Sequence, residues 1–229
     1  MAGAGKKTFT AGEVLTASDV NTYLMEQSVM VFGGTAARSS AIPTPSEGMT
    51  TYRTDTQQIE SYDGAQWRGM SGLQLVKTQT IGTGVSSVEV TGAFSATYEN
   101  YKIIVSGGAS AALGILALRM GTTNTGYYNS RIRITYASAT VSGQAVQNTT
   151  DFNFAGYGAT DALYMDANVS MPFASKKTTF QSNMIEPDTG GGIQFTGGFL
   201  NNTTSYTSFQ ILTSSTLTGG TIYVYGYGT

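Results

Sequence analysis

The chemistry open to this 229-residue chain rests on its 14 Asp and Glu, 14 Tyr, one Trp and many hydroxyls, because it holds no His and no Cys. Without Cys there are no disulfides, thiolate nucleophiles or thiolate metal ligands. Without His, serine triads, imidazole bases and His-bound zinc go as well. Carboxylate pairs, Lys, Tyr and oxygen-held hard cations remain. Glycoside cleavage by two carboxyls could draw on Asp161 and Asp166, or on Glu186 and Asp188. The run from Glu186 through Gly192 reads more simply as a polar turn with a Gly-rich tip. Asp161, Asp166 and Asn168 offer oxygens for calcium, at a spacing that fits no calcium loop, and solvated loop acids are the plainer reading. The expectation is a non-enzyme with no cofactor and no metal.

Aromatic side chains are the next candidates. Trp67 follows a hairpin turn opposite a Tyr-bearing strand, where packing of a small β unit explains it better than stacking on a sugar. Tyr127, Tyr128 and Tyr157 lie among Gly and Asn, where a ring is harder to bury, and are taken as possible ligand-facing residues. The Gly pairs and triplets at 107–108, 190–192 and 219–220 are followed by no Lys-Ser or Lys-Thr and open no helix, so they are turns and not phosphate cradles. Net charge is -2 and the Lys pairs at 6–7 and 176–177 are isolated, which argues against nucleic acid. The longest apolar stretch, 111–118, is far short of the roughly 20 residues that span a bilayer. The first residues lack the apolar core of a signal peptide, so synthesis in the cytoplasm and no membrane insertion are expected.

Composition and pattern supply the elements that must hold such residues. Charged residues make up 11% of the chain, well under the usual quarter, while Ser and Thr make up about a quarter and Gly numbers 29. With abundant β-branched and aromatic residues, this predicts a mainly β protein. Residues 1–34 read as an arm followed by one short amphipathic helix. Thr16 and Asp19 fit a capping box, and Val20, Tyr23, Leu24, Gln27 and Val31 recur at helical spacing, with Gly33-Gly34 as the stop. A helix of about 15 residues is marginal alone, so this stripe is expected to be buried by self-association, a helix covering one end of a sheet being the alternative. Residues 35–71 read as a small meander, with strands near 48–53, 58–62 and 65–68 and an Asp63-Gly64 hairpin turn. Residues 72–229 read as a jelly-roll-like β-sandwich of short strands. Within it Arg131 to Tyr136 alternates strictly, so one face of that strand is wet or packs on a neighbour.

Two segments carry a resemblance. The run from Phe9 to Met25, continued by Val29-Met30-Val31-Phe32, Pro45-Ser46-Glu47-Gly48-Met49 and Tyr62-Asp63-Gly64-Ala65-Gln66-Trp67, is similar to the N-terminal region of minor tail proteins of actinobacterial phages and prophages. The closing run from Gly220 to Tyr227 and the segment from Tyr98 to Ile103 resemble strands of phage fibre and adhesin domains. The resemblance implies a virion structural protein, a trimeric minor tail or tail-fibre protein attached to other virion proteins by its N-terminal arm and presenting a β domain to host-surface glycan. A head fibre or capsid-decoration protein is the alternative, and a polysaccharide-degrading enzyme a third. The resemblance carries no binding residue over to this chain.

Overall fold

The computed structural model describes residues 7–25, 28–70 and 72–228. The chain divides into two compact units, residues 1–72 and 73–227. Arm, helix and meander, read as residues 1–34 and 35–71, thus fall within one unit.

In the first unit, Thr16 caps the chain as its spacing predicts: its hydroxyl accepts from Asp19 N at 3.1 Å and its own N–H donates to Asp19 Oδ2 at 3.2 Å. Lys7 reaches across the arm to Asp19 and Glu13, at 2.6 and 3.0 Å. The helix itself is shorter than expected. It comprises α1 (Ala17–Asp19) and a π-helical turn, Val20–Met25. Val31 is therefore not on it but in strand β1 (Met30–Phe32), with 64% of its surface exposed. Gln27 lies outside the described residues. The run Met30-Val31-Phe32, with a β-branched and an aromatic residue, forms a ladder where a helix would pack poorly. Its partner is β2 (Thr50–Arg53), in parallel, and α2 (Thr35–Ala41) makes the crossover. Strands β3 (Gln58–Tyr62) and β4 (Trp67–Gly69) complete a sheet in the order β1-β2-β3-β4. Asp63-Gly64 turns the last hairpin, with Gly64 at φ 93° and Asp63 Oδ1 accepting from Ala65 N and Gln66 N.

The centre of this unit is ionic. Arg38 on α2, 4% exposed, pairs with Glu60 on β3, which also accepts from Arg53 at 3.1 Å. The Arg38 guanidinium stacks 4.5 Å from the Trp67 ring, which in turn tilts against Tyr62 at 5.4 Å. Burial lowers the Arg38 pKa from its ordinary value. Among the described side chains, no apolar residue of this unit is buried, whereas Val14, Leu15, Met25, Val29, Val31, Ile59 and Met70 are exposed by 46–81%.

The second unit is a β-sandwich of thirteen strands: β5 (Leu73–Thr80), β6 (Val85–Val90), β7 (Asn100–Ser106), β8 (Ala109–Ser110), β9 (Gly114–Met120), β10 (Tyr127–Thr135), β11 (Val141–Thr149), β12 (Phe152–Gly158), β13 (Leu163–Ser170), β14 (Thr179–Ile185), β15 (Gly192–Leu200), β16 (Phe209–Thr218) and β17 (Thr221–Tyr227). One layer is antiparallel throughout, in the order β11-β10-β15-β14-β13-β7-β17-β5. The other runs β12-β9-β16-β6, with β8 on β16, and β12 also pairs with β13. Alternate residues of facing strands fill the core, as in Tyr101, Ile103 and Val105 of β7 against Leu116, Leu118 and Met120 of β9. Phe152 stacks on Phe180 at 4.7 Å and Tyr127 meets Phe152 edge-on at 4.8 Å. No helix among the described residues is long and apolar enough to cross a membrane.

Candidate functional site

Strand alternation gives the eight-stranded layer an outer face, and three neighbouring strands make it unusual. Pairing aligns their outward residues in rows: Tyr128, Phe199 and Thr179; Ser130, Gly197 and Gln181; Ile132, Phe195 and Asn183; Ile134, Ile193 and Ile185. The second row has no side chain at its centre. A Cβ built at Gly197 would meet nothing within 4 Å. The result is a depression of about 420 Å³ over the Gly197 backbone. It is walled by Phe195 and Ile132, exposed by 52% and 54%, while one row beyond Gly197 stand Tyr128 and Phe199. The latter two rings stack at 5.3 Å and 6°. A second hollow of about 280 Å³ continues from Gly197 past Tyr128 toward β11.

The rim is polar but uncharged. Ser130, Gln181 and Asn183 offer a hydroxyl and two amides, each amide both donor and acceptor. Arg131, Ser182 and Thr196 contribute to the walls through their backbone strands, while their side chains alternate to the inner side. Lys177 lies beyond the depression, 5.3 Å from the Phe199 ring centre.

Beneath the floor lies a network that fixes it. The Arg131 guanidinium stacks 3.9 Å from Phe154 and donates to Gln194 and to Gln144, the latter at 2.7 Å. Gln194 donates to Glu186, and Arg133 grips the same carboxylate at 2.5 and 3.0 Å. Ser182 donates to the Ala155 carbonyl at 2.6 Å. Burial lowers the Arg131 pKa, and hydrogen bonding to Glu186 raises that of Arg133. This network joins β10 to β11, to β15 and to Glu186 just past β14, so the outer face rests on a pinned layer.

The three tyrosines taken as ligand-facing separate. Tyr127 is not ligand-facing: it is wholly buried, its hydroxyl donating to Thr123 O at 3.0 Å and accepting from Met120 N at 2.8 Å. It begins a strand rather than a loop, and alternation sends it inward. Tyr128 is the outward neighbour and lines the second hollow. Tyr157 sits half-buried on β12, where burial and then the charges of Glu186 and Asp188 raise its pKa, and takes no part in the outer rows. Val20 and Tyr23 are half-buried in the first unit, and Leu24 lies in its helical turn.

Two of the four carboxylates weighed for chemistry, Asp166 and Glu186, are already engaged, as is Asn168. Asp166 pairs with Lys102 at 2.7 Å, Asn168 accepts from the Tyr227 hydroxyl at 2.6 Å, and Glu186 belongs to the network above. Among the described residues, no three acidic groups converge as a metal site. Sequence reasoning missed Ser130, Ile132, Gln181, Asn183, Phe195 and Gly197 as a set. The alternation of 131–136 gave one wet face, and Gly197 between two outward Phe was the unread signal. No protein-family model, curated protein or solved structure matches the chain.

Proposed function

We propose that the chain is a non-enzymatic structural protein of a bacteriophage virion, a minor tail or tail-fibre protein that assembles as a homotrimer and displays its sandwich toward the host surface. The observation that carries this reading is the unfinished first unit. Its seven large exposed apolar side chains, with none of its described apolar residues buried, call for cover by other chains. A unit of this size with no buried apolar side chain among its described residues is not self-sufficient. Copies of the same chain supply that cover, and the arm, tied down by Lys7, leads to neighbouring virion proteins. The sandwich is self-sufficient by contrast, with a continuous buried core. Its low-charge surface suits contact with neutral cell-wall material. The N-terminal resemblance to minor tail proteins gives the particular setting.

The test is the solution mass of the full chain by light scattering. A value near three times 24.1 kDa is expected. Paired Val29→Asp and Val31→Asp substitutions, at positions 55% and 64% exposed, should dissociate the assembly while the sandwich keeps its melting transition. A wild-type monomer refutes the trimer.

A further inference from the structure

We propose that the depression over Gly197 is a binding site for a neutral saccharide ring. The proposal rests on the adhesive role given above and names the face and the ligand class that serve it. Three features of the site lead there. First, the wall is aromatic and aliphatic, formed by Phe195 and Ile132, and the stacked Tyr128 and Phe199 line the hollow that adjoins it across Gly197. A pyranose presents an apolar face of C–H groups, which packs against exposed rings. Second, the polar groups at the rim, Ser130, Gln181 and Asn183, are uncharged and can both donate and accept, the complement of ring hydroxyls. An anionic ligand would find no cation in the depression, because the Arg131 guanidinium is turned inward and held on Phe154. Third, the floor is bare backbone on a strand pinned from below, so binding needs no rearrangement of the layer.

A second copy of the chain fits this spot less well. Ile132, Phe195, Phe199 and Ile185 are exposed by 54%, 52%, 37% and 41%, which amounts to on the order of 350 Å². A stable protein interface needs about 800 Å² per partner. A polar, concave row interrupts the apolar surface here. A sugar unit matches the scale of the depression, and repetition across a trimer turns a weak single contact into firm adhesion.

The test uses the full chain and a panel of methyl glycosides of glucose, galactose, mannose, rhamnose and N-acetylglucosamine, titrated by saturation-transfer and chemical-shift NMR. At least one should bind with a dissociation constant on the order of 1 mM. Gly197→Val is the diagnostic variant, since it fills the depression at a position where a Cβ meets no neighbour. It should retain the wild-type melting transition and solution mass and weaken binding at least tenfold. Phe195→Ala should weaken it to a similar degree. Binding that survives Gly197→Val places the sugar elsewhere and overturns the proposal, as does failure of every glycoside to bind. A fall in solution mass on Gly197→Val would make this face a contact between copies and also overturns it. A trimer that binds no glycoside removes the saccharide site and leaves the proposed assembly standing, whereas a monomer that binds does the reverse.

Discussion

Replacing Glu60 with Ala should unfold the first unit and leave the sandwich intact. The reasoning begins with what that unit buries. Its most enclosed charged residues are Arg38 and Glu60, at 4% and 7% exposure, and no described apolar side chain of the unit is buried. Removing Glu60 strands the Arg38 guanidinium between α2, the sheet and Trp67, and breaking a buried pair in this way costs about 3–5 kcal/mol. A small unit with little apolar interior has about that much stability in total, so the loss is of the same size as the whole. Arg53 would not share the fate of Arg38, because it keeps Asp55 at 2.7 Å and is nearer solvent. The assay is built into the sequence. Trp67 is the chain's only tryptophan and lies in this unit, so its fluorescence reports the first unit alone, while calorimetry follows both. Glu60→Ala should shift Trp67 emission to the red under native conditions and abolish its cooperative transition, with the sandwich transition unmoved. The double variant Arg38→Met with Glu60→Leu removes both charges, keeps an apolar contact to Trp67, and should restore folding, since replacing a buried pair by apolar groups is often neutral or stabilising. A Glu60→Ala protein whose Trp67 transition moves by less than about 1 kcal/mol would refute the premise that this pair is the unit's core.

Two further outcomes follow from single groups. The Asp63 carboxyl is held at about 2, below its ordinary 3.8, by the backbone N–H of Gln66, then Arg68 and the N–H of Ala65. A depressed acid contributes stability that is present above its unfolded pKa and lost as pH falls through the folded value. The Trp67 transition should therefore hold steady down to about pH 4 and weaken between about 4 and 2. Asp19, held at about 2 chiefly by Lys7, acts in the same sense, so Asp63→Asn should reduce this acid sensitivity without abolishing it. In the sandwich, Tyr127→Phe leaves the Met120 N–H buried without its 2.8 Å acceptor, and should lower sandwich stability by about 1–3 kcal/mol in denaturant titration with glycoside binding unchanged.

The sandwich was legible where one face of a strand is buried. Tyr101 to Ser106, Ile115 to Met120 and Thr221 to Tyr227 lie in strands that carry apolar periodicity and a clear turn at each end, and they appear nearly as read. Strand β11 was invisible for the opposite reason. Its residues Val-Ser-Gly-Gln-Ala-Val-Gln-Asn-Thr are exposed on both faces apart from two half-buried positions, so no burial pattern marks them, and only pairing with β10 makes them a strand. The helix was overread because a stripe at spacings of 3 and 4 continued to Val31, a residue whose β-branching favours the ladder opposite Tyr52 once β2 exists to pair with.

The site lies at the same limit of legibility, and two adjacent glycines show why. Gly197 and Gly198 are indistinguishable in sequence. A Cβ at Gly198 would lie 2.3 Å from Tyr128 O and 2.5 Å from Asn129 Cβ, so that glycine exists to let β10 and β15 come together. A Cβ at Gly197 would meet nothing, so close packing gives no reason for a glycine there, and a valine would suit the strand better. The parity of the strand separates a glycine required by the fold from one the fold does not need, and parity is fixed only by register with Ser130 and Gln181. A position where the backbone tolerates a side chain, the strand would gain from one, and none is present is where a function outside the fold has the first claim.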